Sequence, residues 1–199
     1  MFVRRYATRV GDKGRGVATI IEMVQQTRLD CAIGSAGLMR QAARLAAQHA
    51  AGRKAFGSAL IDQPLMRGVL GDLGLETEAA NATWRALCAA ADGGDAAWTR
   101  LATPVAKYWL CKRAPLVAAE AMECFGGNGY DEKFPMARLY RQAPLNGLWE
   151  GSGNVIASVE IESLVASWAT TWIVRGLRWL LRARRTIRVV ASMRPGPRR

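Results

Sequence analysis

The chain has 199 residues, with 28 Lys+Arg against 16 Asp+Glu and a formal net charge of +12. Half of the residues are hydrophobic and 22% are charged, which excludes a wholly disordered, collagen-like or mucin-like chain. A chain of this length suits one domain that buries about 70% of its unfolded surface without disulfides. The charge is uneven: residues 159–199 hold nine arginines, no lysine and two glutamates, so most of the excess belongs to the last fifth. Without a patterned site, a basic excess is only weak evidence for nucleic acid or anionic membrane as a partner.

Residues 1–15 read as an irregular lead-in, with Gly11, Gly14 and Gly16 marking a turn. They hold no apolar signal-peptide core. From Val17 to about Gly52, apolar residues including Ile20, Val24, Ala32, Ala36, Met39, Ala43 and Ala47 recur every three to four positions, which predicts a long helix. Gly34 and Gly37 within it suggest close approach by another helix, and His49 near its end reads as a dipole partner or surface residue. After a short link, Pro64 sits in the first turn of a second helix that runs to about Ala91. Asp95 opens a third, which reaches Cys124 and contains Pro104 and Pro115 as expected kinks. A fourth member is expected after residue 153. No alternating strand pattern is visible.

The predicted fold is therefore all-α: an antiparallel four-helix bundle over residues 16–158, followed by an atypical basic tail at 159–199. The four cysteines, Cys31, Cys88, Cys111 and Cys124, form no C-x-x-C pair and read as small buried hydrophobes in a reducing, cytoplasmic setting. No metal-ligand cluster is apparent. The apolar run Leu164–Val174 is only 11 residues long, too short to span a bilayer.

Four segments could carry chemistry: Thr27-Arg28-Leu29-Asp30; Arg53-Lys54-Ala55-Phe56-Gly57; Glu123-Cys124-Phe125-Gly126-Gly127-Asn128-Gly129-Tyr130; and Leu148-Trp149-Glu150-Gly151-Ser152-Gly153-Asn154. Each also has a structural reading. Arg53 favours the carbonyl end of a helix, GGNGY is a helix stop and turn, Glu150 is a surface turn acid and Ser152 a helix N-cap. Taken together they suggest more. Glycines let a ligand approach the backbone, and a single carboxylate without a metal cluster or nucleophile–His pair suits proton abstraction better than hydrolysis.

The order TRLD, then RKAFG 25 residues after Arg28, then FGGNGY, then WEGSGN resembles the C-terminal helical domain of the acyl-CoA dehydrogenases over about residues 10–157. The segments RLDCAIGSAGLMRQA and AEAMECFGGNGY are most similar to the alkylation-response branch of that family. The resemblance implies FAD, an acyl-CoA substrate, and a glutamate that removes the α-proton while the β-hydride passes to the flavin. Glu150 matches that glutamate. The alternative site of isovaleryl-type members falls on Thr27, which leaves Glu150 as the base. By the same resemblance Arg53 reaches the flavin pyrophosphate of a neighbouring subunit, and Phe56 lies near the same FAD. Gly126 and Gly127 admit its adenosine side, Ser152 and Asn154 contact its adenine or pyrophosphate region, and Arg28 lies near the acyl-CoA.

The chain departs from the family at Glu123, where most members carry Gln, at Gln63, displaced by one from a usual glutamine, and at Ser152 and Asn154, where Thr and Gln are typical. Nothing resembles the family's N-terminal helical domain or middle barrel. The isolated chain is therefore expected to be the C-terminal portion, a weak or inactive FAD-dependent oxidoreductase that assembles as a dimer or tetramer. The alternatives are a duplex-DNA-binding flavoprotein of the alkylation response and a non-catalytic oligomerisation bundle. Beyond Ser158 the resemblance ends. The Arg- and Trp-rich tail has the composition that a shifted reading frame in a GC-rich gene gives. If helical, it sets Arg175, Arg178, Arg182 and Arg185 near one face, suited to phosphates or a membrane surface.

Overall fold

A computed structural model describes residues 6–157; the expectations for the tail lie outside them. Helix α1 spans Gly16–Gly52. Its inward stripe is Leu29, Ala32, Ser35, Ala36, Met39, Ala42, Ala46 and Ala50, a three-to-four spacing dominated by small residues that let neighbouring helices approach closely. The chain leaves the helix at Arg53 in extended conformation (φ −91°, ψ 125°).

The next six residues hold something the sequence reading missed. Strands β1 (Lys54–Ala55) and β2 (Ser58–Ala59) pair antiparallel, with Lys54 opposite Ala59 and Ala55 opposite Ser58. Two-residue strands are too short for alternation to register. Their turn residues, Phe56 and Gly57, both have positive φ (53° and 84°), as a two-residue hairpin of this hand requires. A 3-10 turn at Leu60–Asp62 leads into α2 (Pro64–Asp92). Pro64 opens α2, where its missing N–H costs nothing.

Gly93 and Gly94 stop α2, Gly94 with φ 74°. Asp95 caps α3 (Ala96–Glu123) by accepting the Trp98 N–H at 3.1 Å. One continuous helical element spans both Pro104 and Pro115. Beyond it, GGNGY is more than a stop: Gly126 takes φ 59° and ψ −141°, and Gly127–Tyr130 forms a one-turn helix, α4. Helix α5 (Pro135–Gln142) and a 3-10 turn (Leu145–Gly147) bring the chain back to the bundle, and residues 153–157 are again helical.

Ser35 and Cys111 meet near the middle of α1 and α3, and His49 and Phe125 meet at their far ends. These two helices therefore run parallel and pack directly on each other, with α2 antiparallel alongside both. The core joins Ala32, Ala36, Met39, Ala42 and Ala46 of α1 to Leu73 and Ala80 of α2, Leu110, Ala114 and Val117 of α3, and Met136 of α5. The described residues thus form an all-α bundle of three long helices; most of the expected fourth lies outside them. Among the described residues, no helix is long and apolar enough to cross a membrane.

All four cysteines are free, and Cys111 and Cys124 are buried as expected. Cys31 and Cys88 are only half-buried, because each lies at the edge of a helix stripe rather than its centre. Burial, with Glu120 and then Glu123 nearby, pushes the Cys124 thiol up from 9.0 to about 11. Below pH 9 the thiol is protonated in both folded and unfolded chains. As pH rises from about 9 to about 11 the unfolded chain ionises first, so stability falls across that window. Urea midpoints measured against pH should decline more steeply for wild type than for Cys124→Ala; parallel profiles would contradict this.

Candidate active site

The predicted site residues form two groups, one against the first half of α1 at Arg28 and one at its C-terminal end. The first surrounds Glu150. The Arg28 Nε–H donates to the Glu150 carbonyl at 3.0 Å. On either side, the Lys107 ammonium donates to the Trp149 carbonyl at 2.8 Å and the Gly151 carbonyl at 2.7 Å. Three consecutive carbonyls therefore converge on two cations. Glu150 and Gly151 both take left-handed backbone, with φ 59° and 97°. For a glutamate that conformation costs roughly 1–2 kcal/mol. The carboxylate itself makes no ion pair with either cation; among the described residues the ion pairs are Arg113–Glu76 and Arg141–Glu132.

Below this turn lies a buried polar chain. Trp149 Nε1–H donates to Asn146 Oδ1 at 3.1 Å, and Asn146 Nδ2–H donates to Ser35 Oγ at 3.2 Å. Ser35 Oγ and Cys111 Sγ share a hydrogen bond at 3.2 Å. Each group in the chain is satisfied by the next, as burial demands. Leu148, Trp149, Val155 and Tyr108 remain exposed around the half-buried Glu150. Ser152 and Asn154 follow at the start of the helical residues 153–157, and the Ser152 carbonyl accepts the Ile156 N–H at 3.0 Å. Gly153 fits closely there: a Cβ would lie 2.9 Å from the Tyr108 ring.

Lys107 was not anticipated from the sequence. It is 1% exposed, on the stripe Thr103, Lys107, Leu110, Ala114 of α3. Burial pushes its ammonium below the ordinary lysine range, with Arg28 adding to the effect; the Cys111 and Cys31 thiols and Glu150 oppose it. The available signal was a single charge at a helix-core position, four residues before Cys111.

The second group is at the C-terminal end. Burial, and then the charge of Arg53, lowers the His49 imidazole from its ordinary range. His49 stacks on Phe125 with ring centroids 4.3 Å apart, which ties the end of α1 to the Gly126 bend. Phe56, at the hairpin tip, is 94% exposed. Gly126 and Gly127 have open space where a Cβ would stand. Gln63 Nε2–H donates to Ser58 Oγ at 2.8 Å and braces the hairpin. Among the described residues, Phe56 and Glu150 are the two non-glycine residues with positive φ, and each belongs to one of the groups.

Arg28 stands on α1 and Arg53 caps its C-terminus 25 positions later, a rise of roughly 37 Å at 1.5 Å per residue. The Glu150 group and the Arg53 group therefore share no cleft within one chain.

This bundle, with a glutamate on a strained turn and an arginine–aromatic–glycine end, defines a helical domain class. A family model described as "Acyl-CoA dehydrogenase, C-terminal domain" matches residues 14–164. The chain belongs to the acyl-CoA dehydrogenase family, through that C-terminal domain. AidB of Escherichia coli (strain K12), named as an acyl-CoA dehydrogenase, is 47% identical over 151 residues, covering 74% of this chain and 28% of AidB. The crystal structure of Caenorhabditis elegans ACDH-11 in complex with C11-CoA aligns with a TM-score of 0.71 at 33% identity, over 78% of this chain and 28% of that one. An acyl-CoA dehydrogenase from Geobacillus kaustophilus aligns with a TM-score of 0.73 at 26% identity, over 78% of this chain and 40% of that one. The chain thus spans between about a quarter and two fifths of the length of these relatives.

Proposed function

We propose that this chain supplies the helical portion of an FAD-dependent acyl-CoA dehydrogenase, with Glu150 as the base that removes the substrate α-proton. The observation that carries the reading is the Glu150 turn. A glutamate is held in strained backbone while both nearby cations bind carbonyls rather than its carboxylate. A cation bonded to the carboxylate would favour its charged form and weaken it as a base.

The residues at the other end suit one end of the dinucleotide. Arg53 offers a fixed charge and a fork of donors to a pyrophosphate. Phe56 presents an aromatic face, and the bare backbone at Gly126 and Gly127 leaves room for the adenosine side. FAD, when bound, supplies the acceptor for the β-hydride. The roughly 37 Å of α1 between Arg28 and Arg53 keeps the two groups apart within one chain. Each flavin site therefore takes Arg53, Phe56, Gly126 and Gly127 from one copy and Glu150, Ser152 and Asn154 from another, which makes the protein a homo-oligomer.

On the substrate side, Arg28 spends Nε on the Glu150 carbonyl, which leaves its terminal nitrogens as donors for the acyl-CoA. The exposed Leu148, Trp149, Val155 and Tyr108 give the acyl chain an apolar seat. Covering them excludes water from Glu150, the condition a carboxylate needs to act as a base near neutral pH.

The test is flavin binding by the 199-residue chain. Arg53→Ala should weaken FAD binding roughly ten- to hundredfold, the worth of one or two charge-assisted hydrogen bonds. Wild-type binding should rise with oligomer formation. Flavin affinity indifferent to Arg53 and Phe56, or independent of association, would refute the shared site.

A further inference from the structure

We propose that Lys107 is the positioning residue of the Glu150 turn: its ammonium holds the carbonyls on both sides of Glu150 and so fixes where the carboxylate stands. The inference rests on Glu150 being the base, but its test does not. Lys107 reaches the turn from the centre of α3, across 42 positions of sequence, and spends two of its three donors there at 2.7 and 2.8 Å. Arg28 takes the carbonyl between them from α1. The two cations come from different long helices, so the turn is referenced to the seam between α1 and α3 rather than to its own loop. Hydrogen bonds to a buried ammonium are stronger than neutral ones, and carbonyls robbed of it would be left unpaired among apolar neighbours.

The groups facing the ammonium are Cys111 on its own helix, Cys31 and Arg28 on α1, and Glu150 on the turn. Burial, with Arg28 beside it and against the opposing pull of Cys111, Cys31 and Glu150, makes the charge on Lys107 easier to lose than that of an exposed lysine. A neutral amine keeps two donors but no longer makes charge-assisted bonds, so the hold on the turn should weaken as alkaline pH discharges it.

The experiment is amide hydrogen exchange on the full 199-residue chain, without flavin or acyl-CoA, expressed as protection factors. Lys107→Met should speed exchange across residues 148–154 roughly ten- to hundredfold, with α2 unchanged as an internal reference. Lys107→Arg, which keeps the charge and places one nitrogen near each carbonyl, should restore most of the protection. In wild type, protection of 148–154 should fall at alkaline pH, whereas in Lys107→Arg it should persist. Unchanged exchange in Lys107→Met, or faster exchange spread evenly over α1, α2 and α3, would overturn the proposal. If Lys107→Met fails to fold, the pH profiles of wild type and Lys107→Arg decide: superimposable profiles would overturn it. Failure of Glu150 as the base would appear in catalysis and leave these exchange results standing.

Discussion

Replacing Glu150 by glutamine should lower acyl-CoA-dependent flavin reduction roughly 10²- to 10⁴-fold, the range that a positioned general base contributes. The measurement uses the Escherichia coli relative with its C-terminal domain replaced by residues 14–157 of this chain, because the chain spans 28% of that relative. Glutamine keeps the size and polarity of the side chain, and Arg28 and Lys107 hold only backbone carbonyls, so the turn should survive the change. Flavin content and acyl-CoA affinity should therefore stay near those of the parent chimaera while the rate collapses. A companion variant separates strain from chemistry. Glu150→Gly removes the proposed base but suits φ 59°, so it should abolish the rate while leaving stability unchanged or raised by about 1 kcal/mol. A Glu150→Gln chimaera that reduces flavin at the parental rate would end the reading of Glu150 as the base.

Gly129→Ala should be among the most damaging single-methyl additions in the described part of the chain. A Cβ there would collide with the Met122 carbonyl oxygen and stand 2.9 Å from Met122 Cγ, and the oxygen belongs to the backbone of α3 and has no side-chain freedom to yield. Helix α4 must then lift off the end of α3. The expected loss is about 3 kcal/mol, or on the order of 10 °C in melting temperature. Gly127, two residues earlier, is the control. It has no neighbour within 4 Å of a Cβ, so Gly127→Ala should leave the melting temperature nearly unchanged while weakening FAD binding. Thermal unfolding of both variants of the 199-residue chain checks the contrast, and equal melting temperatures would refute it. The same comparison divides the GGNGY segment by role: Gly129 is there for close packing, whereas Gly126 and Gly127 keep a backbone surface bare.

Much of the scaffold is decided locally and can be read from the chain alone. The three-to-four spacing of small apolar residues makes α1, Pro64 and Asp95 open the next two helices, and Gly93 and Gly94 close one. These signals are legible because capping and periodicity depend on neighbours within a turn or two. Two of the four motifs hold the non-glycine residues with positive φ among the described residues, Phe56 and Glu150.

What tertiary structure alone decided is how those segments relate. The hairpin at residues 54–59 is too short to leave a pattern, and it exists because its ends are fixed by α1 and by Gln63. Lys107 looks like any helix charge until the chain returns 42 residues later to place carbonyls over it. Asn146 and Ser35 are 111 positions apart, and neither suggests a partner by its surroundings in sequence. The separation of the Arg53 and Glu150 ends follows from one uninterrupted helix between them, whose length is set by packing along the whole seam with α3. Local propensity fixes each element, but burial of a charge and the distance between two ends depend on contacts among residues far apart in the chain, and those contacts exist only once it has folded.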